Sequence, residues 1–286
     1  MNELEIGSYR LIEGEEFGLS TDMADFPVSE CPAYLGAAIS AVCLSGSAVI
    51  HVFDHKCRIE PDMVVTLIPW QLVSISDVSD DFRILFYRAS QEMFTDSLSS
   101  LWRLTPEYFF YMRQHIASER MEGHNRRFRS FCDLLSYWAH HAPEPCRRES
   151  IMQLLRVQFW NIYALYVCDP TAKKVIYSRR EELAFRFMRM IIEDHSYEKD
   201  VIYYAAKLQI TPKYLTNLIR KISGQSARDW IVYFTILEIK SLLRQSSMDL
   251  KSIAVRVNFP NQSIMSRYFR HYIGITPSKY RKNIHF

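Results

Sequence analysis

The stretch Asn258–Arg281 reads NFPNQSIMSRYFRHYIGITPSKYR. At about 100° per residue its middle makes a two-faced helix. Ile264, Met265, Tyr268, Phe269 and Tyr272 share one arc, and Gln262, Ser263, Ser266, Arg267 and Arg270 share the other. The polar arc carries no carboxylate. Its guanidiniums, hydroxyls and amide are groups that pair with phosphates and with base edges in a major groove. Pro260 suits a first helical turn. Gly274 suits a helix end, and Thr276-Pro277 blocks continuation.

An earlier unit repeats this one. Val201–Leu208 predicts a short helix, Gln209-Ile210-Thr211 a turn, and Pro212–Ser223 a second helix ended by Gly224. Thr211 before Pro212 is a cap followed by proline at the first helical position. Tyr214, Leu215, Leu218, Ile219 and Ile222 fall on one side; Lys213, Thr216, Asn217, Arg220 and Lys221 fall on the other. Ala205, Leu208 and Ile210 match Ala254, Val257 and Phe259 at an offset of 49, whereas Leu215, Ile219, Arg220 and Gly224 match Met265, Phe269, Arg270 and Gly274 at 50. One residue is therefore added in the second turn. A single helix-turn-helix pattern also occurs in plain helical bundles. Two copies with acid-free polar faces point instead to a reader of DNA. Between them, Ala227–Arg244 predicts one continuous helix with Trp230, Ile231, Phe234, Leu237, Ile239, Leu242 and Leu243 apolar. Its length of about 27 Å is comparable to one turn of B-DNA, about 34 Å.

From Phe259 to Arg281 the pattern F-x-x-Q-S-x-x-S-R-x-F-R-x-x-x-G-x-T-P-x-x-Y-R resembles the second helix-turn-helix of AraC/XylS-type transcription regulators. Two positions depart from that pattern. Asn258 stands where the family commonly has Gly, and asparagine tolerates a left-handed backbone better than other non-glycine residues. Ile264-Met265 stands where aromatics are usual, which keeps the arc apolar. The resemblance implies two recognition helices in successive major grooves. It carries over Gln262, Ser263, Ser266 and Arg267 as base-edge candidates, with Arg270 on phosphate. In the first unit Lys213, Thr216 and Asn217 become base-edge candidates, with Arg220 and Lys221 on phosphate. Arg267 is the best guanine reader, because arginine pairs bidentately with that base. Tyr280 and Arg281 are expected to brace the end of the domain.

Charge is distributed unevenly. Residues 178–286 hold 19 Lys/Arg against 9 Asp/Glu, while the rest holds 16 against 23. A basic half points to a polyanionic partner. The six cysteines, Cys31, Cys43, Cys57, Cys132, Cys146 and Cys168, form no C-x-x-C and fit reduced thiols. The acidic start MNELEIGSYR has no apolar run, so no secretory signal is expected. Cys31–Phe53 lacks formal charge, but Pro32, Gly36, Ser40 and Ser45-Gly46-Ser47 dilute it. It reads as two buried strands rather than a membrane span.

Residues 1–92 predict short strands at Ala33–Leu44, Ala48–Phe53, Met63–Ile68, Leu72–Ile75 and Phe82–Tyr87, hence an antiparallel barrel or sandwich. Ser47–Tyr87, read as a hairpin, an x-x-P-D-M turn, a strand and another hairpin, looks like the cupin-type barrel at the N-terminus of many AraC-type regulators. His51 and His55 do not share an ordered face on a strand running into a turn, so no metal is expected. Tyr34, His51, Phe53, Trp70 and Phe86 could line a ligand pocket or simply form core. From Met93 to Asp169 helices are expected at Pro106–Ser118, Asn125–His141 and Arg148–Cys168. The last is apolar nearly all round, which suggests cover on more than one side; the resemblance implies a homodimer through this region. Asp169–Lys174 looks like a connector.

The expected architecture is α+β and multidomain. A cupin-like antiparallel β-barrel (1–92) precedes a helical dimerisation region and linker (93–177). A C-terminal all-α double helix-turn-helix domain follows (178–286), with units at 201–223 and 250–273. The expected function is a cytoplasmic, sequence-specific transcription activator bound to double-stranded DNA and RNA polymerase, with a small-molecule effector in the barrel. It is not expected to be an enzyme, to use a cofactor or to enter a membrane. The competing readings are a metal-dependent cupin enzyme with a DNA-binding tail, and an effector-independent dimeric DNA-binding protein.

Overall fold

A computed structural model describes residues 16–53, 55–98, 116, 123–143, 146–168, 179–193, 198–245 and 247–284. The chain divides into two compact units. One is Met1–Phe94 with Tyr111–Val157, and the other is Thr95–Phe110 with Gln158–Phe286. The expected helix Pro106–Ser118 lies outside the described residues except for Ile116.

The first unit contains eight described strands: β1 (Phe17–Ser20), β2 (Ala33–Tyr34), β3 (Ala37–Ser45), β4 (Ala48–Val52), β5 (His55–Ile59), β6 (Val64–Leu67), β7 (Leu72–Ser76) and β8 (Arg83–Ser90). All pairings are antiparallel, in two sheets ordered β1-β8-β3-β6 and β2-β7-β4-β5. The facing sides interdigitate through Ile39, Ala41, Ile84 and Phe86 from one sheet and Ile50, Val52, Val73 and Ile75 from the other. The opposite side of the first sheet, with Val42, Leu85 and Tyr87, is covered by Met93 of helix α1 (Gln91–Leu98), by Phe128, Cys132 and Leu135 of α2 (His124–His141) and by Ile151, Met152 and Leu155 of α3 (Cys146–Cys168). Strands covered on both faces lose the period-two alternation. Ile39 through Cys43 are accordingly all buried.

The pairing corrects part of the expectation. β4 and β5 form the first hairpin. β7 and β8 were expected as a second one but lie in different sheets. β8 buries Ile84 and Phe86 on one face and Leu85 and Tyr87 on the other, and takes a central place between β1 and β3, where both faces are covered. The chain also changes sheets between β3 and β4. There Gly46 has φ +69, and a Cβ would lie 2.6 Å from the Phe82 backbone, so only glycine fits. β1 and β5 were not anticipated; β5, HKCRI, buries only Ile59 and gives no periodic signal. His51 sits mid-strand, with Nε2 2.7 Å from Ser76 Oγ. Of the suggested pocket residues, Tyr34 is exposed and Phe86 packs edge-on against Phe26 in the core.

The second unit holds α4 (Arg179–Glu193), α5 (Val201–Lys207), α6 (Pro212–Ser223), α7 (Ala227–Gln245), α8 (Leu250–Arg256), α9 (Gln262–Ile273) and α10 (Pro277–Ile284). α7 is the axis: it touches α4, α5 and α6 on one side of the repeat and α8, α9 and α10 on the other. Its start is a reciprocal box. The Asp229 amide donates to Ser226 Oγ, while the Ser226 amide and hydroxyl donate to Asp229 Oδ2. Further along, Lys240 Nζ donates to Asp96 Oδ1 at 2.6 Å, and both side chains are buried. Arg244 donates to the Asp96 carbonyl at 3.1 Å, and the Tyr280 hydroxyl lies 3.3 Å from Asp96 Oδ1.

Candidate nucleic-acid interface

The two helix-turn-helix units share one scheme of caps and turn bonds. Asp200 and Asp249, at an offset of 49, cap α5 and α8 by accepting from the amides of Ile202 and Ser252. Ser252 holds the Asp249 carboxyl below its usual value through its hydroxyl and its amide. Both turns pass through a left-handed residue, Gln209 at φ 57 and Asn258 at φ 54. Both are closed by the same backbone bonds: the amide of Ile210 donates to Ala205, and that of Phe259 to Ala254. Thr211 and Asn261 then cap α6 and α9, and Gly224 and Gly274, at φ 77 and 81, end them. One inserted residue in the second turn leaves this scheme intact. It also moves the helix start. Pro260 precedes the cap Asn261 rather than occupying the first turn, as had been expected.

Burial sorts the two faces. On α6, Leu215, Leu218 and Ile219 are buried; on α9, Met265 and Phe269 are. Tyr214 and Tyr272, assigned to the apolar arcs, are exposed. Tyr214 lies at the edge of its arc, beside the buried Leu215, and Tyr272 lies in the last turn of α9. Lys213, Asn217, Arg220 and Lys221 are exposed and Thr216 half-buried on α6; Gln262, Ser263, Arg267 and Arg270 are exposed and Ser266 half-buried on α9. Among the described residues, none of these ten side chains is held by a hydrogen bond or ion pair within the protein. Each face is therefore cationic, free of carboxylates and uncommitted. Arg220, Lys221 and Arg270 also lie in last turns, where cations oppose the helix dipole favourably.

Tyr280 and Arg281 take different roles from one another. Tyr280 is buried against Phe269, whereas Arg281 Nε and Nη2 are buried without a hydrogen-bond partner. Sequence reading missed the Asp200 and Asp249 caps, although their spacing repeats the offset of the unit. It also missed Glu198 and Lys199, which have no periodic signature.

A helix-turn-helix domain family matches residues 204–283, a span that takes in both turns and both candidate faces. This stretch is an AraC-type helix-turn-helix domain. The AraC-type segment is 30% identical over 80 residues to the Msm operon regulatory protein of Streptococcus mutans serotype c, covering 28% of this chain and 29% of that one. The raffinose operon transcriptional regulatory protein RafR of Pediococcus pentosaceus is 25% identical over 126 residues, 44% of each chain. The chain thus spans less than half the length of these curated relatives. Both are operon regulators. Among solved structures, an apo single-substitution variant of ToxT from Vibrio cholerae strain SCE256 aligns over 94% of this chain and 98% of its own, with TM-score 0.42 and 14% identity. Among the described residues, no group of three or more His, Cys, Asp or Glu is placed to hold a metal, and no helix is long and apolar enough to cross a membrane.

Proposed function

We propose that the chain is a sequence-specific DNA-binding transcription regulator that reads two half-sites with one polypeptide. The observation that carries this is the pair of acid-free, uncommitted faces on α6 and α9, each set between a side-chain cap and a left-handed glycine and joined through one 19-residue helix. At 1.5 Å per residue that helix spans about 28 Å, a reach matched to one turn of duplex at about 34 Å. Gln262, Ser263, Ser266 and Arg267 read bases in one groove, with Arg270 on phosphate. Lys213, Thr216 and Asn217 read bases in the next, with Arg220 and Lys221 on phosphate.

The proposal extends to activation through RNA polymerase, to homodimerisation and to a small-molecule effector in the cupin-like N-terminal unit. Family resemblance supports the first and last of these. Exposed Leu134, Tyr137, Trp138 and Val157 on α2 and α3 support a second copy as partner. Selection of bound duplexes from a random pool tests the core reading. Enrichment of a bipartite motif with half-sites about one turn apart supports it; recovery of unrelated sequences refutes it.

A further inference from the structure

Three consecutive residues ahead of α5 tie the two helix-turn-helix units together. Asp200 caps α5 of the first unit. The Glu198 carbonyl accepts from the hydroxyl of Tyr204, a buried residue of the same helix, at 2.9 Å. Between them, Lys199 reaches into the turn of the second unit. Its ammonium donates to the carbonyls of Val257 and Asn258, the latter at 3.2 Å, and lies 4.3 Å from the centroid of the Phe259 ring. Asn258 answers by donating from Nδ2 to Glu198 Oε1 at 3.0 Å.

The turn that is gripped passes, like that of the first unit, through a left-handed residue. Asn258 has φ 54, and Val257 is the C-terminal cap of α8, so its carbonyl sits at the negative end of that helix. An ammonium there satisfies orphan carbonyls and opposes the dipole. The site is desolvated: burial lowers the Lys199 pKa to about 8, with the Glu198 charge pulling the other way. The corresponding place beside the first turn has no such grip by sequence, since Met248 and Ser247 stand 49 residues after Lys199 and Glu198. The clamp is therefore not a copy of the repeat but a link across it.

We infer that Lys199 and Glu198 are positioning residues that fix the second recognition helix relative to the first, and so set the half-site spacing the domain accepts. This rests on the two-site reading above. Two linked binding modules gain affinity only when their separation matches that of their targets. Loosening the link leaves each face intact but raises the ordering cost of engaging both at once.

The test uses the full chain and three duplexes: the selected two-site sequence and two versions with either half-site scrambled. Lys199→Met keeps the stem against Phe259 but removes the donors. It is expected to lose about tenfold affinity for the two-site duplex, the size of one charge-assisted hydrogen bond, and to change binding to the single-site duplexes by less than about twofold. Glu198→Gln retains the acceptor for Asn258 and should behave as the parent. Glu198→Ala should fall between, and carries the same test if Lys199→Met no longer melts cooperatively. Equal losses on all three duplexes, or undiminished two-site binding, would overturn the clamp. A parent chain that does not distinguish two-site from single-site duplexes would overturn the two-site reading and the clamp with it.

Discussion

Arg267 carries the sharpest expectation for a single side chain. It stands exposed on α9, two residues before the buried Phe269, so its removal leaves the core untouched. Arg267→Ala should cost roughly 1–3 kcal/mol on the selected duplex and relax one base position, with little change on random DNA. Titration against duplexes varied at each position measures this; equal loss on every duplex would assign Arg267 to phosphate instead. The faces of α6 and α9 were legible in the sequence because helical periodicity alone separates inward from outward residues. Tyr214 and Tyr272 come out exposed because periodicity shows neither where the edge of an apolar arc meets solvent, as at Tyr214 beside buried Leu215, nor how far along the axis the core extends, as at Tyr272. Lys199 was illegible for another reason: its partner Val257 lies 58 residues away, and nothing local marks the contact.

Elements were readable where caps and breakers agree with the apolar period. Thr211, Pro212 and Gly224 bound α6 at the limits expected for it, and the spacer helix α7 begins where predicted. The sheets were harder. Strands such as β5 show no alternation, and the choice between pairing in a hairpin and crossing to the other sheet depends on what covers each face, as for β8. The turns offer a direct check. Gln209 holds a left-handed conformation, which costs a side-chain-bearing residue about 1–2 kcal/mol. Glycine removes that cost but loses roughly 0.5–1 kcal/mol more backbone entropy. Gln209→Gly should therefore add up to about 1.5 kcal/mol to the unfolding free energy, read as a higher urea midpoint. Asn258→Gly should gain less, because it also gives up the bond to Glu198. A lower midpoint for Gln209→Gly would show that the turn is not strained as described.

Over the whole molecule, closure of the second unit depends on a carboxylate distant in sequence. Asp96 and Lys240 are 144 residues apart, and neither was singled out by composition or pattern. Removing one member of a buried ion pair typically costs 3–5 kcal/mol, whereas replacing both with apolar groups is often neutral. Asp96→Ala should therefore lower stability by about 3–5 kcal/mol, and Asp96→Leu with Lys240→Met should recover only part of it, as read by thermal or urea unfolding. Arg244, whose side chain is 8% exposed and whose Nη2 lies 3.5 Å from Asp96 Oδ2, keeps its charge without that carboxylate. A single and a double variant that lose equal stability would contradict that pairing. The same scale holds the central claim, that one chain presents two reading faces at a separation spanned by α7. The most direct measurement is affinity for a two-half-site duplex before and after insertion of a half-turn of DNA, about 5 base pairs, between the half-sites. Affinity falling to that of a single half-site, and staying there when a full turn is inserted, because a rigid spacer of fixed length cannot follow the added distance, is the expected result. Affinity indifferent to the half-turn insertion would mean that the two faces do not act on one duplex together.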